Sequence, residues 1–171
     1  MARAERELLT SNERTDQGAP ANYRDVLKPR LRQEEGVRSR MYKCPAGRNT
    51  IGCGHNCDAS PLPPDMQLFL EKNGHITDAM IDTLLERDID RAEADARKLF
   101  PGFDLFTVNR QAGIVDLLFN LGFTRFSRFV RTIDAIRQND WATAAAQLRK
   151  SKWYTQVGLR GPGVVNLILA G

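Results

Sequence analysis

The spacing of apolar residues predicts a helix close to the N-terminus of the chain. Apolar side chains recur every three or four residues between Tyr23 and Glu35, and Gly36 takes the position of a C-terminal cap. Pro29 interrupts this pattern. The helix is therefore either kinked at Pro29 or begins near residue 28, where a proline is tolerated in the first turn.

The helical period is lost between Arg38 and about Ala59, where glycines and a proline divide the chain into short runs. This pattern is typical of a small antiparallel sheet with tight turns. Residues 60–75 contain three prolines and one glycine. We predict that they form a loop, with at most one turn of helix at Met66–Leu70.

Beyond residue 76 the pattern is helical almost to the C-terminus. Thr77 is a suitable N-cap for a long helix that ends at Pro101-Gly102. Shorter helices are predicted at Val108–Leu121, Phe126–Gln138 and Trp141–Lys150, with breaks at Gly122, Asn139-Asp140 and Gly161-Pro162-Gly163.

These elements predict an α+β fold. A small antiparallel β lobe spans about 38–60, a larger helical lobe spans about 77–171, and the long helix joins the two. Residues 1–22 are polar and form an N-terminal extension, either a mobile arm or a short frayed helix. Residues 23–171 then make up the folded domain.

Charge is distributed unevenly along the 171 residues. The net charge is +4, and 42% of the residues are hydrophobic, enough to bury a sizeable core. Residues 107–171 carry nine Arg or Lys against three Asp, a balance of +6, which leaves −2 for residues 1–106. A cationic C-terminal half suits an anionic polymer such as nucleic acid, a membrane surface or a bacterial cell wall, but it also suits an ordinary solvated helical surface.

The cysteines and the N-terminus indicate where such a protein is made. Three cysteines lie within fourteen residues, an odd number that does not resemble the framework of a secreted disulfide scaffold. The N-terminus has no apolar signal region, and no stretch of about 18 apolar residues occurs in the chain. We expect a protein made in a reducing cytoplasm, with no export signal and no stable membrane insertion.

Three residues in the segment from Leu31 to His55 suggest a catalytic site. Glu35 ends the first helix, Cys44 follows nine residues later, and Thr50 lies six beyond that on a glycine-punctuated hairpin. Cleavage of a glycosidic bond needs a proton donor and a second group that supplies or directs a nucleophile. The partial negative charge at a helix C-terminus favours the protonated carboxyl that a donor needs. Each residue also has a structural interpretation, so the evidence is their joint spacing.

Cys53, His55 and Cys57 suggest a competing zinc site, since they would share one face of an extended strand and could be joined by Cys44. Alternate residues of a strand lie roughly 6.6–6.8 Å apart, so a tetrahedral site would require a bend. We therefore predict no metal site. A structural His55 paired with Asp88, on the long helix, is the preferred interpretation.

The spacing Glu-x8-Cys-x5-Thr resembles the Glu-Asp/Cys-Thr triad of the T-even bacteriophage lysozymes. The resemblance extends from about residue 25 to 168 and is carried by the stretches EEGVRSRMYK, TIGCGHN, GHITDAMIDTLLERDID, RQAGIVDLLFNLG and KSKWYTQVGLR. It implies a two-lobed lysozyme fold that hydrolyses the β-1,4 bond between N-acetylmuramic acid and N-acetylglucosamine without a cofactor.

The resemblance also implies roles for individual residues. Glu35 matches the general acid, Thr50 matches the third member of the triad, and Cys44 stands where Asp or Cys is found, in the rarer form. Further positions correspond to an arginine that pairs with the catalytic glutamate, to a structural salt bridge and to two cleft residues: Arg160, His55 with Asp88, and Phe119 with Asn120. In the family's cleft, Gln is common where this chain has Asn120.

We expect an endolysin that acts as a monomer on peptidoglycan and lyses the bacterial host. Without an export signal it would stay in the host cytoplasm until a separate pore-forming protein, a holin, gave it access to the wall. A lytic transglycosylase on the same bond is one alternative, because such enzymes work with a single glutamate. A non-catalytic wall-binding module is another. A nucleic-acid binder is the weakest option, since the sequence has no recognisable motif or array of stacking aromatic residues.

Overall fold

The computed structural model describes residues 22–171, which form a three-stranded sheet and a larger group of helices. This confirms the predicted α+β class. The first half contains α1 (Tyr23–Glu35), β1 (Arg38–Lys43), β2 (Asn49–Gly52), β3 (His55–Asn56), α2 (Pro64–Asn73) and α3 (Asp78–Leu99). The second half contains a 3-10 turn (Phe103–Leu105), α4 (Val108–Leu121), α5 (Phe123–Phe126), α6 (Val130–Arg137), α7 (Trp141–Lys150), α8 (Lys152–Gln156) and α9 (Arg160–Ala170).

The predicted extension at residues 1–22 lies outside the described residues, apart from Asn22. Among the residues that are described, none of the helices is both long enough and apolar enough to cross a membrane.

Helix α1 continues through Pro29, so the alternative of a start near residue 28 is wrong. The side chain of Asn22 caps the helix by accepting a hydrogen bond from the Arg24 N–H at 3.0 Å. The apolar face of α1 is buried on both sides of the proline, at Leu27 and Leu31. Burial of this face outweighs the missing N–H of Pro29, because most helix stability in a folded protein comes from tertiary packing.

The sheet is antiparallel and has the strand order β1-β2-β3. Strand β1 pairs with β2 with Tyr42 opposite Thr50, and the register is irregular between Arg38 and Tyr42. Strand β2 pairs with β3 with Ile51 opposite His55. The chain therefore makes two successive tight turns, which places residues 44–48 and residues 53–54 at opposite ends of the sheet.

The 22-residue helix α3 joins the two lobes. Its N-terminal half packs on the sheet, where the side chains of Ile81 and Leu84 lie under Gly52. Apolar residues on one side of α3 remain buried along its whole length, from Ile81 to Leu99, so the same helix also packs against the helical lobe. The periodicity of the sequence identified this helix correctly.

Helix α4 is the centre of the helical lobe. All residues from Ala112 to Leu118 are buried, because α1, α3 and α9 pack around this helix. Gly113 allows α9 to approach closely, since a Cβ at that position would lie 3.1 Å from the Ile168 side chain. Asp116 is a fully buried carboxylate within this apolar helix.

The segment 60–75 was predicted to be a loop with a single helical turn, and this prediction is wrong. Pro64 begins the ten-residue helix α2, because a proline at the first helical position lacks only an N–H that has no partner there. Met66 anchors the helix in the core, and Gly74 ends it in the left-handed conformation.

Two predicted boundaries in the helical lobe are also wrong. The segment Phe126–Gln138 is divided into α5 and α6, because the chain turns after Phe126 and packs the Phe129 ring 5.8 Å from the Phe126 ring. Gly161-Pro162-Gly163 is no break, since these residues form the first turn of α9, where a proline is tolerated. The predicted break at Gly122 is present.

Two threonine N-caps offer a test of what fixes the start of α3. The Thr77 hydroxyl accepts a hydrogen bond from the Met80 N–H at 3.2 Å, whereas Thr107, the N-cap of α4, makes no such bond. We expect Thr77→Ala to lower the free energy of unfolding by about 1 kcal/mol. The matched variant Thr107→Ala should change it by less than about 0.5 kcal/mol. Urea unfolding followed by circular dichroism measures both, and equal losses would contradict the assignment.

Candidate active site

The carboxylate of Glu35 is positioned by the end of α1 and by one arginine. Glu35 is the last residue of α1, and Gly36 follows with φ +70, a backbone conformation that favours glycine. Nη1 of Arg160 donates a hydrogen bond to Oε1 of Glu35 at 2.5 Å. Because Arg160 is 7% exposed and lies on α9, this ion pair connects the N-terminal helix to the C-terminal helix.

Cys44 and Thr50 are brought together by the β1–β2 turn. The carbonyl oxygen of Arg48 accepts hydrogen bonds from the Cys44 N–H and from the Thr50 hydroxyl, both at 3.0 Å. Gly47, with φ +75, closes the turn. The single hydroxyl proton of Thr50 can be directed either to the Arg48 carbonyl or to the neighbouring Cys44 sulfur. The thiol and the hydroxyl are thus adjacent in the structure, on the hairpin that the sequence predicted for them.

The three cysteines are all free thiols and differ in acidity. Hydrogen bonds from the backbone N–H groups of Arg48 and Ala46, with the Thr50 hydroxyl and the Arg48 charge, lower the pKa of the Cys44 thiol. Burial raises the pKa of Cys53 and of Cys57, since it disfavours the thiolate. Of the three cysteines, Cys44 alone therefore has a lowered thiol pKa.

Gly54 lies directly against the Glu35 carboxylate. An added Cβ at Gly54 would be 2.8 Å from Oε2 of Glu35, and the backbone there has φ +75. Tyr42, on β1, is close enough to Glu35 and to Cys44 for both charges to affect its pKa. Burial first, and then the charges of Glu35 and Cys44, raise the pKa of the Tyr42 phenol against the opposing effect of Arg38. Both observations place the end of α1 close to the sheet that carries Cys44.

Arg160 contacts two further carboxylates besides Glu35. Its Nε lies 2.8 Å from Oδ1 of the buried Asp116 and 3.1 Å from Oε2 of Glu34. Arg30 contacts the same two acids, at 3.0 Å from Glu34 and 3.6 Å from Asp116. Burial disfavours the charge on Arg160, but the carboxylates of Asp116 and Glu35 outweigh this effect and raise its pKa.

His55 makes the structural contact that was predicted for it. Its Nδ1 lies 2.7 Å from Oδ2 of Asp88, and its Nε2 lies 2.8 Å from the carbonyl oxygen of Ser60. The ring is buried and connects β3 to α3 and to the loop after the sheet. The chain turns at Gly54, so residues 53–57 do not form the extended strand on which the zinc alternative depended. Residues 22–171 contain no group of three metal-ligating side chains.

A cleft of about 590 Å³ lies between the sheet and the helical lobe. Phe119 and Asn120 line it, and Asn120 is held by Nε1 of Trp153, which donates to its Oδ1 at 2.8 Å. Glu35, Cys44 and Thr50 do not line the cleft themselves, but Gly54 does. Four exposed arginines line this cleft as well, namely Arg48, Arg91, Arg125 and Arg128.

The structure brings two residues to the site that were not predicted from the sequence, namely Gly54 and Asp116. Gly54 was treated only as a turn residue, because its distance to Glu35 depends on how α1 packs on the sheet. Asp116 was counted only as a charge. Its signal was present, since it is the single charged residue in the apolar run from Ala112 to Leu118.

A carboxyl at a helix end, next to a hairpin that presents an acidic thiol and a hydroxyl, provides the two kinds of group that glycosidic bond cleavage needs. The fold around it, a small sheet lobe joined by a long helix to a helical lobe, is lysozyme-like. The chain belongs to the phage lysozyme family, whose model matches residues 32–167. The family resemblance predicted from the sequence is thereby confirmed.

Several relatives are similar over most of this chain. The probable T4-type lysozyme 2 of Dictyostelium discoideum is 27% identical over 161 residues, which cover 85% of this chain and 94% of that protein. The probable T4-type lysozyme 1 of the same organism is 26% identical, with the same two shares. The pre-baseplate central spike protein of Enterobacteria phage T4 is 30% identical over 155 residues, but these are only 27% of its length.

The acidity of Cys44 can be tested by alkylation with iodoacetamide at a series of pH values. We expect Cys44 to react fastest near pH 7, with a midpoint below that of an ordinary thiol, because the thiolate is the reactive form. Cys53 and Cys57 should react more slowly and only at higher pH. Trypsin cuts after Lys43 and Arg48 and so separates Cys44 from the other two for mass spectrometry. Equal rates for all three thiols would contradict this assignment.

Proposed function

We propose that this protein is an N-acetylmuramidase that hydrolyses the β-1,4 bond between N-acetylmuramic acid and N-acetylglucosamine in peptidoglycan. The observation that supports this most strongly is the placement of Glu35. Its carboxylate is held by Arg160 at the end of α1 and lies against Gly54, which lines the cleft between the lobes. Membership of the phage lysozyme family supports a cell-wall hydrolase in general terms.

In this proposal Glu35 is the general acid. Protonated Glu35 donates its proton to the glycosidic oxygen as the bond to the anomeric carbon breaks, and the ring develops oxocarbenium character. Arg160 holds the carboxylate in one orientation and stabilises the negative charge that remains after the proton has left. Helix α1 is anchored through the buried Leu27 and Leu31, and it holds this carboxylate against Gly54 in the turn between β2 and β3.

Cys44 is the second reacting group in one of two ways. As a thiolate it attacks the anomeric carbon to form a thioglycosyl intermediate that water then hydrolyses, or it removes a proton from a water that attacks directly. Its lowered pKa makes the thiolate available in either case. Thr50 lies beside the sulfur and is placed to orient that water through its hydroxyl oxygen.

The surroundings of the cleft fit an anionic polymer. Peptidoglycan carries carboxylates on its peptide stems, and the four cleft arginines would attract them by long-range electrostatics. We further propose that the enzyme acts as a monomer and lyses the bacterial host. It would then accumulate in the host cytoplasm and reach the wall after a holin has opened the membrane.

A lytic transglycosylase is the second candidate, and the single carboxylate at the site favours it. Positions 44 and 50 carry Cys and Thr, so Glu35 is the only carboxyl among the three proposed catalytic residues. In a transglycosylase the 6-hydroxyl of N-acetylmuramic acid takes the place of water, and the product is a 1,6-anhydro sugar. The acidic thiol next to Thr50 favours hydrolysis over this alternative.

Digestion of purified peptidoglycan in ¹⁸O-labelled water distinguishes these functions. We expect mass spectrometry to find muropeptides with a reducing N-acetylmuramic acid end that carries ¹⁸O. The variant Glu35→Gln should lower the rate of release by at least about 100-fold, because it removes the proton donor. Glu71→Gln, on the exposed surface of α2, is the matched control and should leave the rate unchanged.

Each other product has a defined meaning. An unlabelled 1,6-anhydro end would replace the muramidase proposal by a transglycosylase. A failure to release any muropeptide, with retained binding to the wall, would indicate a non-catalytic binding module. A wild-type rate in Glu35→Gln would exclude Glu35 as the acid.

Two glycines test whether the contact with Glu35 matters for activity. Gly54 and Gly47 share φ +75, so an alanine at either position should cost roughly 1–2 kcal/mol of stability. Only at Gly54 would the added Cβ displace the Glu35 carboxylate, because nothing lies within 4 Å of a Cβ at Gly47. We expect Gly54→Ala to lower kcat by at least about tenfold and Gly47→Ala to retain it, when muropeptide release is measured well below each melting temperature. Equal kcat in both variants would contradict the positional argument.

A further inference from the structure

The buried polar atoms without a hydrogen-bond partner are concentrated at one place in the molecule. Within residues 22–171 there are three such side-chain atoms, namely Nε of Arg30, Oδ2 of Asp116 and Nη2 of Arg160. All three belong to the group of charged residues next to Glu35. Buried polar groups in proteins are nearly always paired, so unpaired atoms that cluster beside a reactive carboxyl suggest a functional reason.

Asp116 is the innermost member of this group. It is fully buried on the central helix α4 and reaches Arg160 through a hydrogen bond of 2.8 Å from Nε to Oδ1. The opposite edge of the same guanidinium, at Nη1, holds Glu35. A planar guanidinium that is fixed on one side presents its other side in one orientation. One guanidinium therefore joins the buried Asp116 carboxylate to the Glu35 carboxylate.

The charges in this group do not balance. Three carboxylates, Glu34, Glu35 and Asp116, contact two guanidinium groups, Arg30 and Arg160. When all are ionised the net charge is −1, and a group of coupled acids with excess negative charge takes up a proton more readily. Consistent with this, burial first and then the Asp116 charge raise the pKa of Glu34, against the effects of Arg160 and Arg30.

We propose that Asp116 is a positioning residue for Glu35: it fixes Arg160 against the Glu35 carboxylate and supplies the third carboxylate through which the cluster retains a proton. The inference rests on the proposed role of Glu35 as the acid. A general acid must carry its proton at the working pH, whereas an arginine contact alone favours the ionised carboxylate. Arg160 also pairs with Asp116 and Glu34. Its single positive charge is therefore shared among three carboxylates, so it orients Glu35 without fully neutralising the negative charge of that carboxylate.

Other titratable groups face Glu35 from the sheet, and their titration can be separated from that of the cluster. They are Tyr42 on β1 and Cys53 before β3, and Cys44 lies in the turn after β1. Burial raises the pKa of Tyr42 and of Cys53, which removes both from the range near neutral pH. In the proposed mechanism Cys44 reacts as a thiolate, so its titration would affect the limb on which activity rises with pH. The cluster proton affects the limb on which activity falls.

The test compares the pH dependence of muropeptide release in the wild type and in Asp116→Asn. Asparagine keeps an oxygen that accepts the Arg160 Nε hydrogen bond, but it removes the charge and leaves two carboxylates against two guanidinium groups. We expect the alkaline limb of the kcat profile to move to lower pH by about one unit. Asp134→Asn, an exposed acid whose side chain lies 3.8 Å from Arg137, is the matched control and should not move it.

Two further measurements make the outcome independent of folding and of activity. Glu34→Gln removes a carboxylate of the same cluster without altering the buried helix, and it should move the alkaline limb in the same direction. ¹³C NMR of labelled glutamate carboxyls, assigned with Glu34→Gln and Glu35→Gln, should show that the cluster loses its proton at lower pH in Asp116→Asn than in the wild type.

Unchanged NMR titration in a folded Asp116→Asn variant would overturn the inference, whatever the activity. A second result would also overturn it: an activity loss of equal size at every pH, accompanied by a lower melting temperature. That result would indicate a purely structural role for Asp116. If the wild type releases labelled reducing ends and the variant keeps the wild-type profile, the inference fails while the proposed function stands. If the wild type releases nothing but the NMR titration moves as expected, the proposed function fails and the proton-retaining role of Asp116 remains.

Discussion

The ion pairs around Arg160 are the interaction on which the site depends. One buried guanidinium on the last helix binds the end of the first helix through Glu34 and Glu35 and the central helix through Asp116. Removal of this guanidinium would take away the hydrogen bond of the buried Asp116 carboxylate and the ion pair of Glu35, which costs more than loss of a surface ion pair. The residues that set the position of the proposed acid are therefore distant in sequence and meet only when α1, α4 and α9 are packed together.

Glycines make this close packing possible at two points. A Cβ at Gly163, in the first turn of α9, would lie 2.7 Å from the Arg30 guanidinium, so the absence of a side chain makes room for the second arginine of the cluster. Gly54 plays the same part on the opposite side of Glu35, where the hairpin backbone approaches the carboxylate. Both contacts are between a backbone and a charged group. The positions of the charged groups at the site thus depend on how closely the helices and the hairpin approach one another, as well as on which side chains they carry.

The sheet and the helical lobe contribute different chemistry. The sheet supplies a thiol whose acidity arises within one turn, from backbone N–H groups and a neighbouring hydroxyl less than seven residues away. The helical lobe supplies charge and shape, through Arg160, Asp116 and the Asn120–Trp153 hydrogen bond beside the cleft. Helix α3 joins the two, and the His55–Asp88 contact attaches the sheet to it. A two-lobed fold of this kind combines groups whose properties arise within one turn with groups that only distant packing brings together.

Local chemistry explains which predictions from sequence succeeded. Helices α3 and α4 were identified because their apolar periodicity is strong and their boundaries carry a capping threonine or a glycine. The hairpin that carries Cys44 and Thr50 was identified because glycines and a proline interrupt the helical period there. Helix α2 and the start of α9 were missed, because prolines are common both in the first turn of a helix and in loops, and the sequence alone does not distinguish the two.

The sequence by itself determined the fold class, the family and the residue types of the site. It did so through periodicity, capping residues and a fixed spacing between Glu35, Cys44 and Thr50, all of which are short-range properties of the chain. Only the tertiary structure decided that Asp116 accepts a hydrogen bond from Arg160 and that Gly54 lies against Glu35. These two contacts join residues 44 and 19 positions apart, and no local pattern encodes the packing of α1, α4 and α9 on one another and on the sheet that brings them together.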